Sequence, residues 1–197
     1  MARSRLNSET NLRLLEEGVS AFLARGYHGT GIKEVLDRVN VPKGSFYNYF
    51  KSKEEFGAAV IRHYSSCLGK KMGDVLGPTP DSLTGLRVFF AQLMAEFEAA
   101  DYMGGCLVAN LGGELEGSEV CRQALSEAFA AWQGGMRDAL AKAQQQDTIR
   151  KDIDPGELAD LLIHAWEGAV IRMKIERSLA PLHQCLRHLL DDYFKPR

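Results

Sequence analysis

A cysteine preceded by two glycines is the residue of this chain whose type and setting best suit reactive chemistry. Cys106 follows Gly104 and Gly105 at the start of a short apolar segment. If a helix begins at either glycine, Cys106 lies in its first turn, where unpaired N–H groups and the helix dipole lower the pKa of a thiol. Because the thiolate is the nucleophilic form, this position favours reaction with electrophiles. The alternative is a small buried hydrophobic residue, which describes most cysteines outside disulfides.

An enzyme would need a base beside that thiol, and His164 could serve Cys106 in this role. The sequence shows no accompanying catalytic signature, because paired carboxylates, metal-ligand spacings and glycine-rich phosphate loops do not occur in it. We therefore predict that the chain is not an enzyme and that it needs no metal or other cofactor. The remaining cysteines are not spaced as a disulfide framework and are expected inside helices as packing residues. They are Cys67, Cys121 and Cys185.

A second group of residues combines basic, polar and aromatic side chains that suit contacts with nucleic acid. Phe46 and Phe50 are four residues apart and are expected to face inward, which leaves the polar side chains of the same helix on its outer face. Such donors and amphipathic rings fit phosphate oxygens and base edges. The alternative is an aromatic-rich core helix of a helical bundle. The outward residues are Lys43, Ser45, Tyr47, Asn48 and Tyr49, and Lys53 adds a positive charge at the next helix start.

The elements that must position this segment form a compact pair of helices. Thr30 is a candidate N-cap for a first helix, which Asn40 and Pro42 stop, because asparagine tolerates left-handed backbone and proline disfavours helix in the residue before it. A second helix is expected from about Lys43 to Phe50. A helix, a short turn and a second helix form the arrangement that places a recognition helix in the major groove of DNA.

The rest of the chain is also patterned as helices. Ser52 and Glu55 form a capping box for a long helix that runs to about Leu76. Apolar residues recur at spacings of three and four, and no alternation typical of strands appears. We therefore predict an all-α fold of about nine helices. The other helices are expected to begin near Asn7 or Ser8, Asp81, Gly104, Ser118, Asp154 and Ala180.

Composition places the chain among globular proteins. It has 197 residues, of which 45% are hydrophobic and 25% charged, and its formal net charge is −2. No apolar run approaches the roughly 18 residues of a membrane span, and no signal peptide follows the basic N-terminus, so a cytoplasmic location without membrane contact is expected.

Charge is distributed unevenly along the chain. Residues 1–53 hold nine basic and five acidic side chains, a balance of +4, whereas the remainder holds 15 basic and 21 acidic side chains, a balance of −6. A basic head suits a polyanion, and an acidic body avoids one. The small overall charge disfavours a non-specific architectural DNA binder, whose affinity depends on many phosphate contacts.

The stretch from Thr30 to Glu54 closely resembles the signature of the TetR/AcrR family of one-component transcriptional regulators. The resemblance implies a three-helix DNA-binding domain over residues 1–53 and an effector-binding and dimerisation domain over residues 54–197. Asn40 departs from the family, which often has glycine there. The residues that match the family's contacts with a double-stranded DNA operator are Thr30, Lys43, Gly44, Ser45, Tyr47, Asn48, Tyr49 and Lys53.

Three runs also resemble the subgroup around the N-ethylmaleimide-reductase repressor, which senses electrophiles and oxidants through a cysteine. They are residues 41–47, 105–107 and 174–175. The resemblance implies that Cys106 is a sensor of the small-molecule effector, and Lys174 could supply an ammonium group that favours the thiolate. The alternative is a regulator that binds its effector reversibly, with Cys106 structural.

The sequence also predicts a homodimer and a pocket for the effector. One helix-turn-helix makes few base contacts, so a homodimer is expected to present two of them about 34–36 Å apart to a palindrome. Apolar stripes on the last two helices either join two chains in a four-helix bundle or close the core of one chain. The stripes are Leu158, Leu161, Leu162, Ala165, Ala169, Met173, Leu182, Cys185, Leu186, Leu189 and Leu190. The pocket candidates are Phe89, Phe90, Phe97, Tyr102, Met103, Trp132, His164, Trp166 and Met173.

Overall fold

The computed structural model describes residues 2–115 and 117–196, with side chains from residue 8 onward. Within these residues the regular structure is entirely helical, which confirms the predicted fold class. The helices are α1 (Ala2–Arg25), α2 (Ile32–Arg38), α3 (Lys43–Phe46), α4 (Lys53–Leu76), α5 (Ser82–Ala99), α6 (Leu107–Gly112), α7 (Glu119–Gln145), α8 (Pro155–Glu176) and α9 (Ala180–Leu186). The last continues as a π-helical segment, Arg187–Tyr193.

Side-chain caps fix several of the predicted helix starts. The Asp81 carboxylate accepts a hydrogen bond from the Thr84 amide at 2.8 Å, and the Asp154 carboxylate accepts one from the Gly156 amide at 2.8 Å. At α4 the Glu55 amide donates to the Ser52 hydroxyl at 3.1 Å. These bonds satisfy amides that have no partner inside the helix, which is why the starts were visible in the sequence.

Four predicted helix boundaries were wrong, one each at α1, α2, α3 and α6. Helix α1 begins at Ala2, so Asn7 and Ser8 lie within it. Thr30 does not cap α2, because its buried hydroxyl lies 2.8 Å from the Gly26 carbonyl and 3.2 Å from that of Ala21, and Gly31 occupies the N-cap position.

Helix α3 ends four residues before the predicted Phe50. After Phe46 the chain continues in tight turns, in which the Asn48 amide bonds to the Ser45 carbonyl and the Tyr49 amide to the Phe46 carbonyl. These bonds span three residues instead of four, so they tighten the backbone beyond α-helical geometry. The segment still returns to a helical bond at Phe50, whose amide donates to the Phe46 carbonyl at 3.0 Å.

The chain divides into two compact units, and neither is continuous in sequence. The first comprises Met1–Ser66 and Leu107–Ala128, and the second comprises Cys67–Cys106 and Phe129–Arg197. One division falls between Cys106 and Leu107, immediately before α6.

The core of the first unit is an aromatic cluster. The ring of Phe56 lies 5.0 Å from that of Phe50, 5.7 Å from that of Phe46 and 5.8 Å from that of Phe22, measured between centroids. All four side chains are buried, so Phe46 and Phe50 face inward as predicted. Asn40 has a φ of +55°, and the Val41 amide bonds back to the Leu36 carbonyl. The left-handed residue and this bond end α2 and redirect the chain into α3.

The second unit is built on α5 and α8. The ring of Trp166 lies 4.5 Å from that of Phe90 and 6.4 Å from that of Phe97. A buried arginine holds the C-terminal segment, since Arg150 forms two bonds to Asp152, at 2.7 and 2.6 Å, and lies 4.7 Å over the Tyr193 ring. In the part of the chain that the structure describes, helices are too short or too polar to cross a membrane.

Candidate functional site

The segment after α2 presents its polar residues on the side opposite the aromatic cluster. Tyr47 is 62% exposed. Lys43, Gly44 and Asn48 are also exposed, whereas Ser45 and Tyr49 are half-buried. Because Phe46 and Phe50 anchor the segment in the core, the intervening side chains are held outward. The geometry leaves a row of donors and one aromatic ring open to a partner surface.

Two of the residues expected to contact DNA are engaged within the first unit. Thr30 is buried and its hydroxyl is used internally, so the structure does not support its side chain as a DNA contact. The Lys53 ammonium donates to the Tyr27 carbonyl at 2.7 Å and lies 4.3 Å over the Tyr27 ring. Burial lowers the pKa of Lys53, and the charge of Glu114 opposes that shift. Lys53 therefore ties the start of α4 to the loop after α1.

A link between the end of α1 and the segment after α6 was not visible in the sequence. The His28 amide donates to the Glu114 carboxylate at 3.1 Å, and the His28 ring Nε2 lies 3.1 Å from the Glu114 carbonyl. Gly26, with a φ of +72°, leaves room for this carboxylate, because a Cβ there would lie 2.3 Å from Glu114 Oε1. The two bonds connect α6 to the helix-turn-helix within one unit.

The segment that carries the candidate thiol lies flat against α8. Gly104 and Gly105 have φ values of +86° and +82°, a region that favours glycine. A Cβ on Gly105 would lie 3.0 Å from Val170 Cγ1 and 3.3 Å from Lys174 Cδ. The glycines therefore allow the segment just before Cys106 to pack closely on the face of α8 that carries Val170 and Lys174.

The setting of Cys106 differs in part from the expectation. Helix α6 begins at Leu107, so Cys106 precedes it instead of lying in its first turn, because the left-handed backbone of Gly104 and Gly105 cannot continue a helix. The thiol is also buried, since Cys106 is only 5% exposed, which matches the alternative of a small buried residue.

Glu167 is a member of this site that the sequence analysis missed. Neither of its carboxyl oxygens is exposed or receives a hydrogen bond of ordinary geometry. Burial raises the pKa of Glu167 to about 7, while hydrogen bonding by the Cys106 thiol and the positive charge of Lys174 lower it. The spacing of seven between Glu167 and Lys174, two helical turns, is the signal that could have placed both on one face.

His164 belongs to a different neighbourhood from Cys106. Its side chain is exposed, and its ring stacks on Phe129 with centroids 6.4 Å apart. The buried group that acts with the Cys106 thiol is Glu167. The nucleophile–base pair of Cys106 and His164 considered from the sequence is therefore not what the structure assembles.

The other pocket candidates fall into two groups of ring contacts. Phe89, Phe90, Phe97 and Trp166 form one group, and Trp132, Phe129 and His164 form the other. The Trp132 indole N–H is buried without an acceptor. Met173 is buried, Tyr102 is half-buried and Met103 is 61% exposed.

The other three cysteines differ in their exposure. Cys67 is exposed on α4, so its expected packing role was wrong, whereas Cys121 is buried and Cys185 is half-buried. Among residues 2–115 and 117–196, no three histidine, cysteine or acidic side chains are grouped so as to hold a metal ion.

The stripes on the last two helices are split between core and surface. Most of their leucines, with Ala169 and Met173, are buried within one chain, whereas Leu161 is exposed and Ala165, Cys185 and Leu189 are half-buried. Helix α8 also exposes two residues that the stripes did not include, Ile171 at 58% and Ile175 at 76%. Its outward apolar face is therefore Leu161, Ile171 and Ile175.

Comparison with known proteins matches both parts of the chain to one family. The sequence model described as "Bacterial regulatory proteins, tetR family" matches residues 14–60, and that described as "Tetracyclin repressor-like, C-terminal domain" matches residues 82–189. The HTH-type transcriptional repressor DhaR of Mycobacterium sp. (strain GP1) is 37% identical over 175 residues, covering 88% of this chain and 86% of DhaR.

A second relative supports the subgroup. The HTH-type transcriptional repressor NemR of Escherichia coli (strain K12) is 30% identical over 183 residues, covering 92% of each chain. The crystal structure of the reduced form of E. coli NemR has a TM-score of 0.86 at 29% identity and covers 93% of this chain and 96% of NemR. The crystal structure of regulatory protein TetR from Rhodobacter sphaeroides has a TM-score of 0.85 at 31% identity, covering 91% of this chain and 96% of that protein.

The matches to NemR confirm the predicted resemblance to that subgroup. The relatives are regulators of transcription, a class of protein without enzymatic activity. With both family models matched over most of the helical chain, the protein belongs to the TetR family of bacterial transcriptional regulators.

Proposed function

We propose that this protein is a cytoplasmic repressor that binds a palindromic operator as a homodimer and leaves it when Cys106 reacts with an electrophile or oxidant. The observation that carries the DNA-binding part is the outward row of polar side chains from Lys43 to Asn48, in a segment anchored by the buried Phe46 and Phe50. Residues 1–53 supply the DNA-binding domain, and residues 54–197 supply the dimer interface and the sensor. Membership of the family supports binding to operators and to small-molecule effectors.

The DNA contacts come from six of the eight residues that the resemblance indicated. Lys43, Gly44 and Ser45 at the start of α3 and Asn48 suit phosphate and base edges, and Tyr47 offers a ring and a hydroxyl. Tyr49 is half-buried beside them. Lys53 contributes mainly by holding the domain together, because its ammonium already bonds to the Tyr27 carbonyl.

Dimerisation is assigned to the outward face of α8. Leu161, Ile171 and Ile175 expose apolar side chains along one helix, and water contact with such a row is costly. A second copy of the same helix would cover it through a two-fold interface, in which each chain uses the same surface. The half-buried Cys185 and Leu189 extend this face onto the last helix.

The burial of Cys106 supports its role as a sensor. Cys106 is only 5% exposed, and the neighbouring Gly105 packs closely on Val170, so a group added to the thiol would have to displace the residues packed around it. The adduct is therefore accommodated only if the segment leaves α8. Alkylation would therefore favour the conformation in which the segment has left α8 over the one in which it packs there. A sensor requires such a shift between two conformations.

Helix α6 is the proposed route from the thiol to the DNA-binding domain. It begins at the residue after Cys106 and is followed by Glu114, which binds His28. Displacing the start of α6 would strain this link and thereby the helix-turn-helix beside it. The coupling free energy between the two sites is measured as the loss of operator affinity on alkylation.

A mobility-shift titration with the promoter next to the protein's own gene tests the DNA-binding part. We expect Lys43→Ala to weaken operator binding and Lys70→Ala, an exposed lysine of α4 in the other unit, to leave it unchanged. No sequence-specific shift by the wild-type chain at moderate salt would overturn the proposal.

The sensor part is tested with N-ethylmaleimide and two cysteine variants. We expect treatment to release the wild-type chain and Cys67→Ser from DNA but not Cys106→Ser. Cys67 is the matched control because it is exposed and lies away from the proposed sensor. Release of Cys106→Ser by the reagent would remove Cys106 from the mechanism.

A reversible effector is the second candidate, favoured by one observation. The buried Trp132 N–H has no acceptor, and such a donor is suited to a polar atom of a ligand beside aromatic rings. A small molecule that releases Cys106→Ser from DNA, and no longer releases Trp132→Phe, would support this candidate.

A further inference from the structure

We propose that Glu167 accepts the thiol proton of Cys106 as the sulfur attacks an electrophile. The inference rests on the proposed sensing function and deepens it by naming the group that activates the thiol. His164, the base considered and disfavoured from the sequence, is exposed and stacked on the Phe129 ring, whereas the Cys106 thiol acts on Glu167.

The geometry around Glu167 has no evident structural purpose. Its two carboxyl oxygens are buried and receive no hydrogen bond of ordinary geometry, a state that costs free energy unless another role offsets it. Glu167 shares a face of α8 with Val170 and Lys174, the two residues against which Gly105 packs. The Cys106 thiol, next to Gly105 in the chain, is the hydrogen-bonding side chain that acts on its carboxyl. A buried acceptor beside a buried thiol is the arrangement that a base-assisted nucleophile needs.

The surroundings of Glu167 bring the pKa of its carboxyl close to neutral pH. Burial raises the pKa of the Glu167 carboxyl to about 7, and the positive charge of Lys174, two turns along α8, limits that rise. The groups that act on the carboxyl are thus Lys174 from its own helix and Cys106 from the segment packed against it. A carboxylate with this pKa takes a proton from a thiol far better than an ordinary exposed one.

The reaction balances for an α,β-unsaturated carbonyl compound. The sulfur forms a bond to the β-carbon, the π electron pair moves toward the carbonyl, and the thiol proton passes to Glu167. The α-carbon then takes a proton, either from Glu167 or from water, so the net change is addition of the thiol across the double bond. No oxidant or reductant is consumed.

The test is the pH profile of Cys106 alkylation by N-ethylmaleimide in the full-length protein, followed by mass spectrometry of the Cys106 peptide. In the wild-type chain the rate should rise with an inflection near the pKa of Glu167. In Glu167→Gln the rate near pH 7.5 should fall by about tenfold or more, as for loss of a general base, and the inflection should vanish. Asp160→Asn, an exposed carboxylate of the same helix, is the matched control and should behave as wild type.

Two further variants keep the test decisive. Lys174→Met should move the inflection to higher pH, because the lysine charge lowers the pKa of Glu167. If Glu167→Gln is poorly folded by its melting curve, Glu167→Asp retains a carboxylate and should retain an inflection with a slower rate.

The outcomes separate this inference from the proposed function. An unchanged rate and profile in folded Glu167→Gln, or a profile without inflection in folded Glu167→Asp, overturns the role of Glu167 alone. Failure of wild-type Cys106 to react at any pH, while Cys67 does, overturns the sensing function itself.

Discussion

Gly105 lies so close to Val170 that a side chain on the glycine would meet the valine Cγ1 at 3.0 Å. The backbone of Gly105 is also left-handed, with a φ of +82°. Both features are needed to hold the segment against α8, where Cys106 meets Glu167. The position of the Cys106 thiol at this site therefore depends on the close contact between Gly105 and Val170.

Replacing that glycine should damage both stability and the site. Gly105→Ala adds a Cβ to a strained backbone and a crowded contact, so we expect a loss of about 1–3 kcal/mol in the free energy of unfolding, measured in urea. Gly112→Ala is the control, because a Cβ there meets nothing within 4 Å. Equal stability of the two variants would show that the close approach is dispensable.

The ionisation of Glu167 should make stability depend on pH. Its pKa is about 7 in the folded chain against an ordinary value of 4.5, so the folded state holds the proton more tightly. The wild-type chain is therefore most stable relative to Glu167→Gln below about pH 4.5, and it loses that advantage as the pH rises through about 7. The difference between the two unfolding free energies should change by up to about 3 kcal/mol across this window. A difference that stays flat with pH would contradict the buried carboxyl.

Salt dependence should identify which operator contacts are to phosphate. If Lys43 neutralises one phosphate in each half-site, Lys43→Ala should reduce the slope of log affinity against log salt by about two for the dimer. Asn48→Ala should weaken binding without that change in slope, because its side chain is uncharged. Titrations by fluorescence anisotropy at several salt concentrations distinguish the two. An unaltered slope in Lys43→Ala would place that lysine away from the phosphates.

Charge on the outward face of α8 should separate the subunits. Ile171→Glu places a carboxylate on a side chain that is 58% exposed in one chain, so the fold of the protomer should survive while the interface does not. Light scattering after gel filtration should show the mass of one chain, and operator affinity should fall with it. Val88→Glu, at an exposed position of α5, should remain dimeric. A dimeric Ile171→Glu would move the interface elsewhere.

The link between Glu114 and His28 should govern how strongly alkylation affects DNA binding. Glu114→Gln weakens the charge-assisted bond to the His28 amide, a bond worth about 1.5–3 kcal/mol when one partner is charged. We expect operator binding by the unmodified variant to persist, and the loss of affinity on alkylation to shrink by about fivefold or more. The ratio of operator affinities before and after N-ethylmaleimide measures this coupling. An undiminished ratio would exclude the link from the pathway.

Much of the architecture was predictable from local signals. Asp81, Ser52 and Asp154 marked helix starts because each cap bonds to an amide within three residues, so neighbouring residues alone encode it. The inward orientation of Phe46 and Phe50 followed from their spacing in the same way. Boundaries set by distant contacts were missed, as at Thr30, whose hydroxyl is taken by carbonyls of α1 and of the turn that follows it.

The candidate sensor shows the same division between local and distant information. The sequence pointed to Cys106 through its own glycines and to Lys174 through a family resemblance. It placed the thiol in the first turn of a helix only if that helix began at a glycine, and it offered His164 only for an enzyme that it disfavoured. In the structure Cys106 precedes the helix, because the positive φ values of Gly104 and Gly105 are not helical, and the segment packs closely against α8. Nothing in the sequence distinguished Glu167 from the other acidic residues, since a carboxyl acquires an unusual pKa only from its environment in the folded chain.

The amino-acid order alone determined the helical periodicity, the caps and the motif of the DNA-binding head, because these depend on side chains within a few positions of each other. Only the tertiary structure decided which helix covers the thiol, which carboxyl meets it and which face of α8 stays open. Those properties arise from contacts between residues far apart in the chain, such as Cys106 and Glu167, whose energies no local spacing encodes.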